Sequence, residues 1–204
     1  RLLLARVYIE QGEHVRAMSQ LQWAQAHRGE DAEAIYLLGV ALERQGRLEE
    51  ALERYRRAFA LDRQNAAPLL AGTEVLVTLG RVREAGTYLE SYLALAQENV
   101  AAYELAGRVA MLEERYAAAA GYYEQAGALA PENQFYREAQ GGALLQAGHP
   151  ERAVEVLAPL ARSAEEPLHV MAETALADAY LATGRAEQAR RHYQAVLERA
   201  PEDG

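Results

Sequence analysis

Apolar residues recur along this chain at intervals of three and four, the spacing that places them on one face of an α-helix. Ile35, Leu38 and Leu42 form one such face, and Leu52 and Tyr55 begin a second after a short polar segment. Strict alternation of apolar and polar residues, the mark of a half-buried strand, is not part of the pattern. We therefore predict an all-α chain built from pairs of amphipathic helices, called helix A and helix B in order of sequence.

The helix pair recurs every 34 residues. The only three asparagines of the chain are Asn65, Asn99 and Asn133, and each is 34 residues from the next. Alanine follows the same register and ends with one step of 36, at Ala17, Ala51, Ala85, Ala119, Ala153 and Ala189. Glycine follows it between the two helices, with Glu114 where one is skipped, at Gly12, Gly46, Gly80, Gly148 and Gly184.

A repeat of this length with two helices resembles the tetratricopeptide repeat. The resemblance covers the whole chain and implies a right-handed α-solenoid of antiparallel helix pairs, in which each repeat packs on its neighbours. We expect residues 1–204 to form a single array of about six repeats. The repeat boundaries are predicted at 1–31 (truncated), 32–65, 66–99, 100–133, 134–169 and 170–203.

The recurring residues have local roles. Gly46 and its equivalents end helix A, where a left-handed residue is needed and glycine adopts it without steric cost. Pro150 is placed in the first turn of a helix B, where its missing N–H is tolerated. Short polar side chains close five of the repeats and are expected to cap the next helix A, at Asp31, Asn65, Asn99, Asn133 and Asp203.

Small and large residues predict the packing. Mid-helix-A residues are expected to lie opposite the repeating alanines, so that the two helices approach closely, at Gly39, Thr73, Gly107 and Gly141. One helix-B position is always large and is expected to fill space between repeats, at Leu21, Tyr55, Leu89, Tyr123, Leu157 and Tyr193. The large first residue of helix A is replaced by a polar one at Arg137 and Glu173.

Two features allow more than one interpretation. The two extra residues near Ser163–His169 indicate either a longer helix B or looser loop, or a change in the pitch of the solenoid. Trp23, the only tryptophan, is either a core residue or an anchor for a preceding repeat or a partner.

The composition limits the classes of partner that the chain can bind. The chain has no cysteine and no lysine, so all 21 basic residues are arginines, which we interpret as a bacterial coding bias. The net charge is −9, and residues 66–204 carry all of the excess. Nucleic acid is excluded because no basic stripe is present to contact phosphates. No apolar run is long enough to insert in a membrane. The compartment stays open, with the periplasm favoured over the cytoplasm.

Candidate chemistry is sparse. The five histidines lack the spacing of a metal site and are interpreted as solvated or helix-end residues. The three serines lie in no nucleophile turn, and adjacent acidic residues such as Glu113 and Glu114 point in different directions on a helix. We predict no catalytic residue, no metal and no cofactor, and therefore a chain that is not an enzyme.

A second face of helix A does not repeat, although its positions, spaced i, i+4 and i+7, align along the helix. In the tetratricopeptide family this face lines the concave groove that receives peptides or helices. The resemblance therefore implies a peptide-binding groove here. We call the following twelve residues the helix-A stripe: Tyr36, Val40, Glu43, Leu70, Glu74, Val77, Glu104, Arg108, Met111, Glu138, Leu145 and Asp178.

The stripe predicts a protein-interaction scaffold. Its apolar and acidic residues suit a protein or peptide segment with apolar anchors and a few basic residues. Such a scaffold is expected in a larger bacterial assembly or export protein. The alternative is a module that presents substrates to a catalytic domain elsewhere in a longer chain. Apolar residues at both ends, including Leu3 and Leu197, also suggest an end-to-end homo-oligomer.

Overall fold

The structure is a computed structural model that describes residues 1–96, 98–163 and 168–199. These residues fold into twelve α-helices and no strand, so the prediction of an all-α chain is confirmed. The chain divides into two compact units, unit 1 (Arg1–Gln97) and unit 2 (Glu98–Gly204).

Short connections join the helices of each pair, which makes them antiparallel neighbours. In both units, odd-numbered helices are helix A and even-numbered helices are helix B. Unit 1 contains α1 (Leu2–Glu10), α2 (His14–Arg28), α3 (Ala32–Glu43), α4 (Leu48–Leu61), α5 (Ala67–Thr78) and α6 (Val82–Leu95). Unit 2 contains α7 (Val100–Leu112), α8 (Tyr116–Leu129), α9 (Phe135–Gln146), α10 (Pro150–Ser163), α11 (Leu168–Ala182) and α12 (Ala186–Arg199).

The core of each unit lies between the two helices of a pair and between successive pairs. In unit 1, the predicted apolar faces are buried, with Ile35 and Leu52 at most 2% exposed. In unit 2, one buried cluster extends from α7 to α12 and includes Tyr136 and Leu157. Because every helix buries one face against a neighbour, the opposite face is left for solvent or a partner.

The predicted caps are confirmed at Asp31 and Asn99, which are the N-caps of α3 and α7. The other two described positions, Asn65 and Asn133, lie one residue before the N-cap, and their side chains bond the N–H of the first helical residue instead. Asp31 and Asn99 accept hydrogen bonds from the backbone N–H three residues later, at 2.9 and 3.1 Å. Asn65 and Asn133 accept from the N–H two residues later, at 3.1 and 3.2 Å. These bonds satisfy N–H groups that the first turn of a helix leaves without an intrahelical partner. Asp203 lies outside the described residues.

The turns between helices A and B are left-handed, as the glycines predict. The five turn glycines have φ between 72° and 76°. Glu114 takes the place of the skipped glycine with φ 59°, and no other described non-glycine residue has a positive φ. A side chain in this region is strained, so repeat four keeps the same turn backbone at a cost that the other repeats avoid.

The sequence predicts that the mid-helix-A glycines lie opposite the repeating alanines of helix B, but the nearest side chain to these glycines is a different one. A Cβ placed on Gly107 would lie 2.7 Å from Cε1 of Tyr123, and one on Gly39 would lie 2.6 Å from Cε1 of Tyr55. Helix-A glycine therefore makes room for the large helix-B residue of its own repeat. That residue fills space within its repeat and not, as predicted, only between repeats.

In repeat three the residue that makes room is Gly72, one position before the predicted Thr73. A Cβ on Gly72 would lie 2.8 Å from Cε1 of Tyr88. Thr73 itself is fully buried and donates a hydrogen bond from its hydroxyl to the carbonyl of Leu69 at 2.8 Å.

The two open interpretations are partly resolved. Helix α10 has 14 residues, like α4, α6 and α8, so helix B is not longer. Helix α11 has 15 residues against 12 or 13 in α3, α5, α7 and α9, and the remainder of the insertion, 164–167, lies outside the described residues. Trp23 is 42% exposed and stacks on His27 at 4.0 Å between ring centroids, so its assignment to the core is wrong.

Candidate functional site

The stripe residues of unit 1 lie on α3 and α5, which contact each other. Tyr36 is half-buried at the centre of this group. Burial raises the pKa of its phenol, and Glu43 and Glu74 raise it further while Arg6 lowers it. Two carboxylates from successive repeats therefore act on one tyrosine, so these three predicted positions lie close together. Arg6 is bound to Glu33 at 2.6 Å, which partly offsets its charge.

The stripe residues of unit 2 lie on α7, α9 and α11. The last two helices contact each other, and a hydrogen bond from Tyr136 Oη to Glu104 Oε2, 2.9 Å long, joins α9 to α7. Across both units, no residue of the stripe is buried; each is half-buried or exposed. The stripe is therefore accessible within each unit.

Tyrosines bind three of the stripe carboxylates. Tyr55 Oη donates to Glu43 Oε2 at 2.5 Å, and Tyr193 Oη donates to Asp178 Oδ1. Together with the bond from Tyr136 to Glu104, these contacts fix the positions of carboxylates that would otherwise rotate freely. A carboxylate held in this way presents a defined charge to a ligand and loses less side-chain entropy on binding.

The pKa values of these tyrosines follow from the contacts. Burial raises the pKa of Tyr55, and the hydrogen bond to Glu43 raises it further. The hydrogen bond to Asp178 raises the pKa of Tyr193 to about 12. Both phenols therefore stay protonated at neutral pH and act as donors to the carboxylates, which remain acceptors.

Glu138 differs from the other carboxylates. It is half-buried, and within the described part of the chain it makes no hydrogen bond or ion pair. Burial alone raises the pKa of its carboxyl. Arg108, the one arginine of the stripe, is exposed and makes no ion pair with Glu104 or Glu138.

The sequence did not predict the tyrosines as parts of this surface. A signal was present, because the large helix-B position alternates strictly between leucine and tyrosine along the six repeats. At Tyr55 and Tyr193, the ring fills the interior while the hydroxyl reaches a carboxylate of helix A in the same repeat. Leucine supplies only the first of these two functions.

One histidine is not solvated as predicted. Glu173, the polar residue at the usual large position of helix A, is only 7% exposed. His192 Nδ1 lies 2.5 Å from Glu173 Oε2, and the imidazole stacks on Tyr180 at 5.3 Å. A half-buried ion pair or hydrogen bond thus occupies a place that is apolar in repeats two and three.

Within the described residues, no group of three or more histidine, aspartate or glutamate side chains has the arrangement of a metal site. Among the same residues, no helix combines the length and apolar character needed to cross a membrane.

A tetratricopeptide repeat family model matches residues 2–66 and 138–204, and a second tetratricopeptide repeat model matches residues 42–109. The chain belongs to the tetratricopeptide repeat family. Its all-α solenoid fold of antiparallel helix pairs is the fold of that family, as predicted. Among curated proteins, no sequence matches this chain.

Several solved structures are similar to this chain over most of their length. A structure of YrrB, described as a tetratricopeptide protein with an unusual peptide-binding site, has a TM-score of 0.78 at 23% identity, covering 89% of this chain and 93% of its own. A structure of MamA has a TM-score of 0.73 at 19% identity, covering 84% and 92%. MamA from Desulfovibrio magneticus RS-1 has a TM-score of 0.69 at 21% identity, covering 85% and 97%. These likenesses show the shared fold.

Proposed function

We propose that this tetratricopeptide chain is a non-enzymatic protein-interaction scaffold, and that its helix-A stripe binds a peptide or helical segment of a partner. One observation carries the proposal: all twelve stripe residues are accessible, while the neighbouring face of each helix A is buried. Residues that vary between repeats and keep part of their surface outside the core are available for recognition, and this holds for Met111 and Leu145 although they also pack against the core of unit 2. Membership of the family and the peptide-binding site named for YrrB support the same function.

The partner segment is apolar with basic residues. Unit 2 has seventeen acidic residues against nine arginines, and its stripe combines Met111 and Leu145 with three carboxylates. Burial of apolar side chains supplies most of the affinity, whereas the carboxylates steer the encounter and select the orientation. Unit 1 presents a second surface of the same kind, with Tyr36, Leu70 and Val77 as apolar contacts.

Several parts of the sequence interpretation stay predictions. These are the single array over residues 1–204, the larger bacterial assembly or export protein, the compartment and the end-to-end homo-oligomer. Exposed apolar side chains are consistent with the predicted homo-oligomer, since Leu3 is 77% and Leu197 is 52% exposed.

The test begins with a phage-displayed library of 12-residue peptides selected on the whole chain. The most enriched peptide is synthesised with a fluorescent label, and its Kd is measured by anisotropy. Met111→Glu places a charge among the apolar contacts of the stripe, and we expect it to weaken binding at least tenfold, because burying an unpaired charge is costly. Gln125→Glu adds the same charge on the exposed face of α8 and controls for the added charge alone.

The proposal predicts that Gln125→Glu binds as tightly as the unaltered chain and that added salt slows association more than it speeds dissociation. Selected peptides should also be enriched in arginine or lysine. If the peptides bind Met111→Glu with unchanged Kd, and also bind a Val77→Glu variant of unit 1 with unchanged Kd, the stripe is not the binding surface.

A further inference from the structure

The three carboxylates of the unit 2 stripe are not equivalent. Glu104 and Asp178 each accept a hydrogen bond from a tyrosine hydroxyl. Glu138 is half-buried and has no such donor within the described residues. A carboxylate that has lost part of its hydration without gaining a partner is destabilising, so its presence needs an explanation outside the unit's own packing.

The helix surface beside Glu138 is open. Gly142 lies one turn further along α9, on the same face, and a Cβ built on it would meet no atom within 4 Å. It differs from Gly107, where Tyr123 occupies the space. A glycine in a helix interior costs about 1 kcal/mol relative to alanine. At Gly142 no contact within the structure requires that cost.

Tyr123 interacts electrostatically with Glu138 and with two charged residues of α7. Burial raises the pKa of the Tyr123 phenol; Arg108 lowers that pKa, while Glu104 and Glu138 raise it. The phenol therefore lies among the charged groups of α7 and α9. Leu145, three residues beyond Gly142, is half-buried and adds apolar surface on the same side of α9.

We propose that Glu138 and the open surface over Gly142 form a subsite for one arginine or lysine side chain of the bound segment. The cationic group pairs with the Glu138 carboxylate, and the aliphatic stem lies over Gly142 against Leu145. This inference rests on the proposed function and adds a specific contact to it.

The energetics favour a cation at this place. Glu138 has already lost part of its hydration on folding, so pairing it costs less further desolvation than pairing a fully hydrated carboxylate. Arg and Lys carry long apolar stems that cover apolar surface while their charged ends stay at the edge. Glycine at 142 leaves room for that stem, which any larger side chain would take.

The experiment uses the labelled library peptide described above and the whole chain. Glu138→Gln removes the charge with little change of shape. In the peptide, each arginine is replaced in turn by citrulline and each lysine by acetyl-lysine, which removes the cation but keeps the stem. We expect Glu138→Gln to weaken binding about tenfold. At one peptide position the neutral residue should have the same effect, and the two changes together should cost no more than either alone.

Gly142→Leu fills the space over α9 and should weaken binding to a similar extent while leaving the fold intact. Gly121 on α8 is exposed, and a Cβ built on it, like one on Gly142, meets no atom within 4 Å. Gly121→Leu therefore makes the same exchange away from the stripe and should leave Kd unchanged. Comparing Gly142→Leu with Gly121→Leu distinguishes the effect of filling the space over Gly142 from the general effect of replacing a helical glycine.

The outcomes distinguish the subsite from the proposed function. If Glu138→Gln and Gly142→Leu bind the peptide normally while Met111→Glu does not, the stripe binds peptides but the subsite is wrong. Additive losses in the double-variant cycle also overturn the subsite. If no peptide is recovered, or if the Met111→Glu and Val77→Glu variants both bind normally, the proposed function fails and the subsite fails with it.

Discussion

Glu114 offers a direct test of the repeat register, because it holds a left-handed conformation that glycine holds in the other five described turns. Glu114→Gly should stabilise unit 2. A side chain in this conformation costs about 1–2 kcal/mol. Glycine loses more conformational freedom on folding, which offsets about 0.5–1 kcal/mol of that gain. Taken at the middle of both ranges, the net stabilisation is about 0.7 kcal/mol. Glu114 is exposed, so its removal leaves no cavity.

The reverse substitution, glycine to glutamate, can be made at an equivalent turn of the same unit. Gly148 has φ 76° and open space around it, so Gly148→Glu introduces the strain that Glu114→Gly removes. Urea unfolding followed by circular dichroism should show a higher midpoint for the first variant and a lower one for the second. In thermal unfolding, a change of about 1 kcal/mol in the free energy of unfolding corresponds to about 2–4 °C in Tm for a chain of this size. A destabilised Glu114→Gly, or a neutral Gly148→Glu, would refute the assignment of strain to this backbone position.

Three further outcomes follow from unit 2. Gly107→Ala should destabilise by about 1–3 kcal/mol in urea unfolding, because the new Cβ would displace the buried Tyr123 ring. His192→Ala should destabilise by a similar amount, since it removes a partner of the buried Glu173 carboxylate, and an unchanged midpoint would contradict that role. Because burial raises the pKa of Glu138, its carboxyl contributes stability below its ordinary pKa of 4.5, and this stability is lost as pH rises through the raised pKa. The free energy of unfolding of Glu138→Gln should therefore be larger than that of the unaltered chain at pH 7 and equal to it at about pH 4.

Much of the fold follows from the sequence because its determinants are local. A cap needs one acceptor at the start of a helix, and a left-handed turn needs one glycine, so spacing alone located Asn99 and Gly46 correctly. The packing of helix A on helix B is less local. Gly72 replaces Thr73 as the residue that makes room, because Tyr88 lies one position before the usual large residue.

The candidate site was predicted only in outline. The i, i+4, i+7 spacing identifies an accessible face of helix A, since that property depends on helix geometry alone. It does not reveal that Tyr55 reaches Glu43, or that His192 reaches Glu173, because those contacts depend on how two helices pack. Similarly, nothing in the spacing distinguishes Glu138, which accepts no hydrogen bond within the described residues, from Glu104, which accepts one.

Site-specific photo-crosslinking tests the central claim most directly. The photoreactive amino acid p-benzoylphenylalanine is placed at Met111 in one variant and at Gln125 in another, and each is irradiated with the labelled library peptide. If the helix-A stripe binds the segment, position 111 crosslinks to the peptide, excess unlabelled peptide suppresses the product, and position 125 gives none. Crosslinking from position 125 with none from position 111 would place the peptide on helix B and contradict the account.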